Sequence, residues 1–352
     1  MRVIYVTKYN IHLRVLKGGE LASKSNYEAL VKIFGKSSIE ILKIVERESV
    51  IGKYYQFIYK RDGYDKSEEI RLCQYISSKK ADVIFFDGSW FGNLINKINT
   101  KGKIIVFLHN VEKQYSLDRM KSNILTFIKY LSVSFNERQI IEKADYVFAL
   151  NERDNMLIKK YYKRECDLFL PITFQDSYIP MDVADKTKIE KNLLFVGSYF
   201  RPNVEGIRWF VKEVLPNVSY RLIIVGRGME KLKYLESEIV SVVGTVDNME
   251  SYYVQADAVI MPIFSGGGMK VKTAEAMMYG KKILGTHEAL TGYMKEKVCG
   301  IYECNNADEY INVIKNIDNI KFNRNIRDYF LHNFSDNIKE KKLREFIEEY
   351  VQ

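Results

Sequence analysis

Short runs of consecutive apolar residues alternate with longer segments of helical period along the whole chain. Arg2–Thr7, Ile39–Val45, Asp82–Phe86, Lys103–Leu108, Tyr146–Leu150 and Asp167–Leu170 are rich in Val, Ile and Phe, as strands buried on both faces should be. Helix-length segments such as Leu21–Phe34 and Ile124–Lys143 lie between them, so residues 1–174 predict a parallel, doubly wound α/β domain. From Pro171 to Lys191 the periodicity stops and polar residues with two prolines take over, which predicts a linker over 175–190. A second α/β series follows in 191–335, with strands expected at Leu193–Val196, Arg221–Val225, Val240–Val243, Ala258–Met261, Lys282–Gly285 and Gly300–Glu303. The last segment has a cap candidate at Ser335 or Asp336 and an apolar stripe at Leu343, Phe346, Ile347 and Tyr350, so 336–352 is an amphipathic helix that must dock. Two such domains facing each other across a cleft would bind ligands at the carboxyl ends of their strands.

Composition changes this picture little. With 352 residues, 47% hydrophobic and 5 prolines, the chain can bury two cores. No apolar run approaches the ~20 residues of a membrane span, and the N-terminal MRVIYVTKYN reads as a strand rather than a signal peptide, so a cytoplasmic location is expected. Cys73, Cys166, Cys299 and Cys304 form no CxxC pair and have no histidine at zinc spacing, which predicts reduced, buried thiols and no metal. Charge is more informative. Residues 1–175 carry 30 Lys and Arg against 20 Asp and Glu, a net of +10, and residues 176–352 carry 24 against 25, a net of −1; the two sum to +9. The first half should therefore face something anionic.

Candidate chemistry concentrates in Val259–Thr286, VIMPIFSGGGMKVKTAEAMMYGKKILGT. The pattern is an apolar strand, a turn of Gly266, Gly267 and Gly268, and a helix expected from about Met269 to Gly280. Such a junction points unpaired N–H groups outward and makes an anion site. Lys270 and Lys272 sit where cations oppose the helix dipole unless an anion is present, and Glu275 lies one turn deeper on the same face, placed for ribose hydroxyls. Other strand ends add weaker signals. Gly18 and Gly19 precede the helix expected from Leu21, and His109 ends the run Lys103–Leu108 where it could hydrogen-bond or move a proton. Gly197 and Arg201 follow the first strand of the second series, and Gly226-Arg227-Gly228 follows the next, each guanidinium within reach of a phosphate.

Taken in order, GG near the N-terminus, HNVE, ADYVFALNERD, FVGSYFRPNVEGIRWFVKEVLP, IIVGRG and VVGTVDNMESYYVQADAVIMPIFSGGGMKVKTAEAMMYGKKILGT resemble the retaining glycosyltransferases of family 4. The resemblance is densest from Leu193 to Gly292. It implies a GT-B fold, two Rossmann-like domains with a C-terminal helix crossing back to the first, and metal-independent transfer from a nucleotide-diphospho-sugar with retention and without a cofactor. In that picture Gly19 contacts the donor phosphates, His109 lies beside the transferred sugar, Val246 meets the base through its backbone and Glu275 binds the ribose. The chain departs from the family at Gly267, where a glutamate is common, and at Ser198 and Val204, near which Arg and Lys are common. It resembles instead the GGG-x-K/R-x-K subgroup, in which Lys270 and Lys272 supply the charge.

The acceptor side is expected in the basic first half. Lys53–Arg61 and Arg119–Lys129 interleave basic with apolar and aromatic residues, which suits an anionic membrane surface and a glycan or polyprenyl-diphosphate-linked glycan acceptor in polysaccharide assembly. No RNA-binding motif points to nucleic acid. Two alternatives stay open: a catalytically silent GT-B subunit that binds a nucleotide sugar, and a GT-B epimerase, whose acid and base groups do not assemble beyond His109.

Overall fold

A computed structural model describes residues 1–11, 18–47, 49–118, 120, 124–178, 191–266, 268–293 and 298–351. The chain divides into two units, one of Met1–Thr173 with Lys339–Gln352 and one of Phe174–Ile338.

The first unit runs β1 (Val3–Thr7), α1 (Gly18–Phe34), β2 (Ile39–Lys43), α2 (Val50–Ile58), α3 (Lys66–Ser78), β3 (Val83–Asp87), α4 (Gly92–Ile95), β4 (Lys103–Leu108), α5 (Glu112–Asp118), α6 (Ile124–Lys143), β5 (Tyr146–Ala149), α7 (Glu152–Tyr162) and β6 (Leu168–Phe169). The strands pair in parallel in the order β2-β1-β3-β4-β5-β6, with Val3 level with both Ile39 and Val83. Every residue of β1 and β3 is buried, which is why their sequences show no alternation. Strand order reverses between β1 and β3, so the carboxyl ends at Thr7, Asp87 and Leu108 surround a switch point of the kind that holds ligands in open α/β sheets. Polar caps stop the helices from fraying. Ser49 accepts from Gly52 N at the start of α2, and Asp65 and Asn151 do the same for α3 and α7.

The second unit runs β7 (Asn192–Val196), α8 (Arg201–Glu213), β8 (Arg221–Val225), β9 (Val240–Gly244), α9 (Glu250–Gln255), β10 (Ala258–Met261), α10 (Val271–Met278), β11 (Lys282–Gly285), α11 (His287–Leu290), β12 (Ile301–Glu303), α12 (Ala307–Asn316) and α13 (Arg324–Asn333). Its parallel sheet has the order β12-β11-β10-β7-β8-β9, with the reversal between β10 and β7. Gly280 ends α10 in the left-handed region at φ 61°. Lys281 then turns inward to donate to the carbonyls of Val254, Ala256 and Lys321 at 3.1, 3.0 and 2.7 Å, and burial pushes its ammonium down to about 7.

The final helix, α14 (Asp336–Tyr350), buries Leu343, Phe346 and Ile347, and its residues from Lys339 onward belong to the first unit. There Phe346 meets Tyr146 and Phe148 edge-on at 5.2 and 5.0 Å, and Lys339 Nζ donates to Asn26 at 3.0 Å. Tyr350, the fourth position of the predicted stripe, is exposed and forms the rim of this contact.

Two expectations change, for the N-terminal glycines and for the cysteines. Gly18 and Gly19 do not precede the first helix but form its first turn, and a Cβ on Gly19 would stand 2.5 Å from the Tyr9 hydroxyl. Of the predicted linker 175–190, residues 179–190 lie outside the described residues, while Asp176 and Tyr178 are held by the Arg327 guanidinium at 2.6 and 3.0 Å. The cysteines are unpaired, but Cys299 is exposed and only Cys304 among the four is buried.

A helix glycine controls the approach to the β10 loop. A Cβ at Gly206 of α8 would stand 1.7 Å from the carbonyl oxygen of Pro262, just beyond β10. Gly206→Ala should therefore lower the stability of the chain by ~1–3 kcal/mol in chemical denaturation; an unchanged midpoint would show that the helix does not press on this loop.

Candidate functional site

The loop after β10 leads to α10 through Gly266 at φ 147° and Gly268 at φ 63°, conformations that favour glycine. Gly267 lies outside the described residues. Met269 is buried beneath the turn, and Lys270 is the N-cap residue, so α10 begins at Val271, two residues after the expected start. The two lysines then differ in role. Lys270 Nζ donates to Gly268 O at 3.0 Å and to Glu288 Oε1 at 2.6 Å, so a carboxylate of the chain itself balances this cation. Lys272, at the second helical position, donates to the neutral amide oxygen of Asn203 at 2.8 Å and stands 4.6 Å from the centroid of Phe195. Burial, and secondly the charge of Lys270, push its ammonium down to about 7. An ammonium with only a neutral acceptor and a ring, at the positive end of a helix, lacks an anion.

Glu275 lies one turn deeper and accepts from the Tyr253 hydroxyl at 2.9 Å, while burial raises its pKa above the usual carboxylate range. Tyr253 is itself stacked on Tyr279 at 4.5 Å.

Gly197 joins this cluster because Asn203 folds back over it; a Cβ there would stand 3.0 Å from the Asn203 amide nitrogen, which donates to Ser198 O at 2.8 Å. The loop 226–228 packs beside it. Tyr199 N donates to Arg227 O at 2.8 Å, and a Cβ on Gly226 would stand 1.9 Å from Gly197 O, so Gly226 cannot be replaced without moving the loop at Gly197. The side chains of Arg227 and Arg201 stay outside the cluster. Arg227 is exposed, and Arg201, 79% exposed, is bound to Glu205 at 2.7 Å on the surface of α8. Val246 is half-buried in the loop after β9.

In the first unit His109 ends β4, buried at the switch point. Its Nε2 is 3.0 Å from Asp87 Oδ1, and Asp87 Oδ2 accepts from Thr7 at 2.9 Å and from the Ser23 hydroxyl. A carboxylate that receives from three sides takes the Nε2–H of the imidazole and leaves Nδ1 as an acceptor. Rings fix the imidazole plane: Trp90 stacks on it at 5.9 Å, and Tyr9 and Phe107 meet it edge-on at 5.2 and 4.9 Å. Gly19, in the first turn of α1, meets this cluster through the Tyr9 ring, against which it packs, and Gly18 opens the same helix. Beyond His109, Glu112 is pushed up to about 7 by burial and then by the charge of Glu137. Glu137 is raised by burial as well, although it caps α5 by accepting from the N–H groups of Glu112 and Lys113 at 2.5 and 3.3 Å.

Asp87, Trp90, Asn203 and Tyr253 were not singled out from the sequence. The signal for Asp87 was present: like His109, it is a polar residue that closes an apolar run, but the predicted strand stopped at Phe86. Among the described residues no group of three or more His, Cys, Asp or Glu could hold a metal ion.

Residues 190–318 match the family model described as Glycosyl transferases group 1. No curated protein matches the sequence. Among solved structures, sucrose-phosphate synthase from Thermosynechococcus elongatus is similar over 99% of both chains at a TM-score of 0.76 and 14% identity. HepE of Anabaena, in complex with UDP, is similar over 99% of this chain and 100% of its own, at 0.68 and 11%. The lipopolysaccharide outer core galactosyltransferase WaaB is similar over 99% of both chains, at 0.65 and 15%. The fold is GT-B. At these identities the likeness speaks for the fold, and the GT-B architecture accounts for the two parallel six-stranded sheets, each with its own switch point.

The state of Lys272 can be read directly. In lysine nitrogen-15 NMR two ammonium groups should titrate near 7, one lost in Lys272→Met and the other in Lys281→Met. Sulfate should move the Lys272 titration upward and leave Lys281, which caps carbonyls, in place; a Lys272 signal that ignores sulfate would argue against an anion site.

Proposed function

We propose that the chain is a glycosyltransferase that moves a sugar from a nucleotide-diphospho-sugar, with retention and without a metal, to a glycan or polyprenyl-diphosphate-linked glycan during cell-surface polysaccharide assembly. The observation that carries this reading is a coincidence of position. The group 1 glycosyltransferase match falls on 190–318, the stretch that supplies Gly197, Asn203, Gly266, Gly268, Lys270, Lys272 and Glu275. HepE, similar in fold, is described in complex with UDP and with UDP-glucose, which supports a donor of that class.

In this reading the second unit binds the donor. Lys272 and the N–H groups that open α10 face the diphosphate, Lys270 is released to it from Glu288, and Glu275 meets the ribose. As the glycosidic bond breaks, the leaving diphosphate gains negative charge, so donors aimed at it stabilise the transition state more than the ground state, each by ~3–4 kcal/mol. The acceptor hydroxyl attacks from the face that the diphosphate leaves, and its proton passes to a departing phosphate oxygen. The first unit supplies His109, with Nδ1 available to accept from a hydroxyl of the transferred sugar and Asp87 holding the ring.

A panel of nucleotide sugars tested for thermal stabilisation should single out one donor, with a gain of ~2.7 kcal/mol at 100 times its Kd. That donor, given a glycan acceptor, should yield a product of unchanged anomeric configuration. A donor that binds but is neither transferred nor hydrolysed would make the chain a silent subunit, and an epimerised donor formed without acceptor would make it an epimerase. Asp87→Asn should lower kcat by ~100-fold or more while leaving donor affinity in place; an equal rise in Kd would assign Asp87 to binding instead.

A further inference from the structure

The carboxylate of the second unit's site is aimed by a side chain that meets no solvent. Glu275 sits in the middle of α10 and is half-buried, so a ligand can reach it. The terminal torsion of a glutamate is soft, with broad, roughly two-fold preferences, and a carboxylate turns about it unless a neighbour fixes the plane. Tyr253 of α9 is that neighbour. Its ring is fully buried, and its hydroxyl donates to Glu275 Oε2 at 2.9 Å. Burial, and then the charge of Glu275, hold the phenol well above its usual pKa, so the hydroxyl keeps its proton and stays a donor. The same bond opposes the upward push that burial gives the Glu275 pKa, and so favours the ionised carboxylate.

A stack of rings behind Tyr253 keeps it from moving. Its ring lies on Tyr279 at 4.5 Å and within 10° of parallel, Tyr279 meets Tyr178 at 4.8 Å, and the Arg327 guanidinium stands 5.9 Å from the Tyr178 centroid. Lys281 holds the backbone, because its bonds to the carbonyls of Val254 and Ala256 tie down the carboxyl end of α9. A donor confined on its face and at its backbone gives the Glu275 carboxylate one setting.

A vicinal diol can give one hydroxyl to each oxygen of a carboxylate, but only where the carboxylate plane faces it. Tyr253 takes one acceptor direction on Oε2 and leaves Oε1 whole, so both oxygens can still accept. We propose that Tyr253 is a positioning residue: by fixing the Glu275 carboxylate it lets the site recognise the paired 2′ and 3′ hydroxyls of a ribose, and so selects ribonucleoside-diphospho-sugars over donors built on a 2′-deoxynucleoside such as deoxythymidine. The proposal rests on the reading of Glu275 as the group that meets the ribose, and adds how that contact is made and which donors it rejects. Tyr253 touches no substrate, and its effect runs through Glu275.

The test is calorimetric titration of the full chain with UDP, GDP and ADP, and then with the 2′-deoxy and 3′-deoxy counterparts of whichever binds tightest. The unaltered chain should prefer the ribonucleotide to each deoxynucleotide by ~10-fold or more, the scale of a hydrogen bond to a charged group. Tyr253→Phe, which keeps the ring in its stack, should cut that preference to ~2-fold by weakening the ribonucleotide alone. Retained affinity for the deoxynucleotides shows that this variant is folded. In a Glu275→Ala chain the same substitution should change nothing, because the group through which it acts is gone. A preference that survives Tyr253→Phe, an equal loss of all three nucleotides, or a further effect in the Glu275→Ala chain overturns the proposal and leaves the ribose reading in place. So does an unaltered chain that discriminates at the 2′ hydroxyl and ignores the 3′, a result that needs no variant. An unaltered chain that binds all three nucleotides alike, or binds none, overturns the ribose reading and the proposal with it.

Discussion

An ammonium held where it has no anion is the constraint on which the second unit's site depends. Lys272 is placed by the first turn of α10, at the positive end of that helix, with a neutral amide and an aromatic ring for neighbours and a second lysine nearby. Burial, and secondly the charge of Lys270, disfavour its charged form, which is why its pKa falls to about 7. Because the folded pKa lies below that of the unfolded chain, this lysine costs stability at neutral pH and below, and the cost fades as pH rises toward the ordinary lysine range. In the proposed function, a bound diphosphate would reverse the sign of the local field and remove the cost. Lys270 differs because Glu288 already answers its charge, so an incoming phosphate must compete with a carboxylate there.

The surrounding loops hold that lysine in place. Asn203 touches Lys272 on one side and the 197–198 backbone on the other, and the 226–228 loop presses against Gly197. Gly206 lets α8 lie against Pro262 and so fixes the start of the loop that carries Gly266 and Gly268. In the first unit the corresponding constraint is Asp87, whose acceptor sites are taken by Thr7, Ser23 and His109, leaving the imidazole one orientation. Each unit therefore uses its switch point differently: the second offers cations and helix N–H groups, the first an oriented histidine among aromatic rings.

The strands were legible because burial on both faces leaves continuous apolar runs, and each of the twelve expected runs coincides with an observed strand to within two residues at either end. Of Lys53–Arg61, Lys53–Ile58 belongs to α2, where the Ser49 cap favours the helix, and Tyr59, Lys60 and Arg61 lie beyond its end. What the sequence could not display is partnership across distance. Thr7 and Asp87 meet although they are 80 residues apart, because β1 and β3 are neighbours while β2 lies on the other side. Glu288 reaches Lys270 from α11, the short helix that follows β11, and nothing in the local pattern of either residue announces it. The same limit hid Asn203, one polar residue in the first turn of an amphipathic helix.

The central claim is that the junction between β10 and α10 holds a diphosphate through Lys272. A crystal structure of the chain with a bound nucleoside diphosphate tests it most directly. The account predicts a phosphate oxygen within hydrogen-bonding distance of Lys272 Nζ and of the N–H groups that open α10, with Glu275 on the ribose. Phosphates bound elsewhere, with Lys272 still held by Asn203 alone, would contradict it.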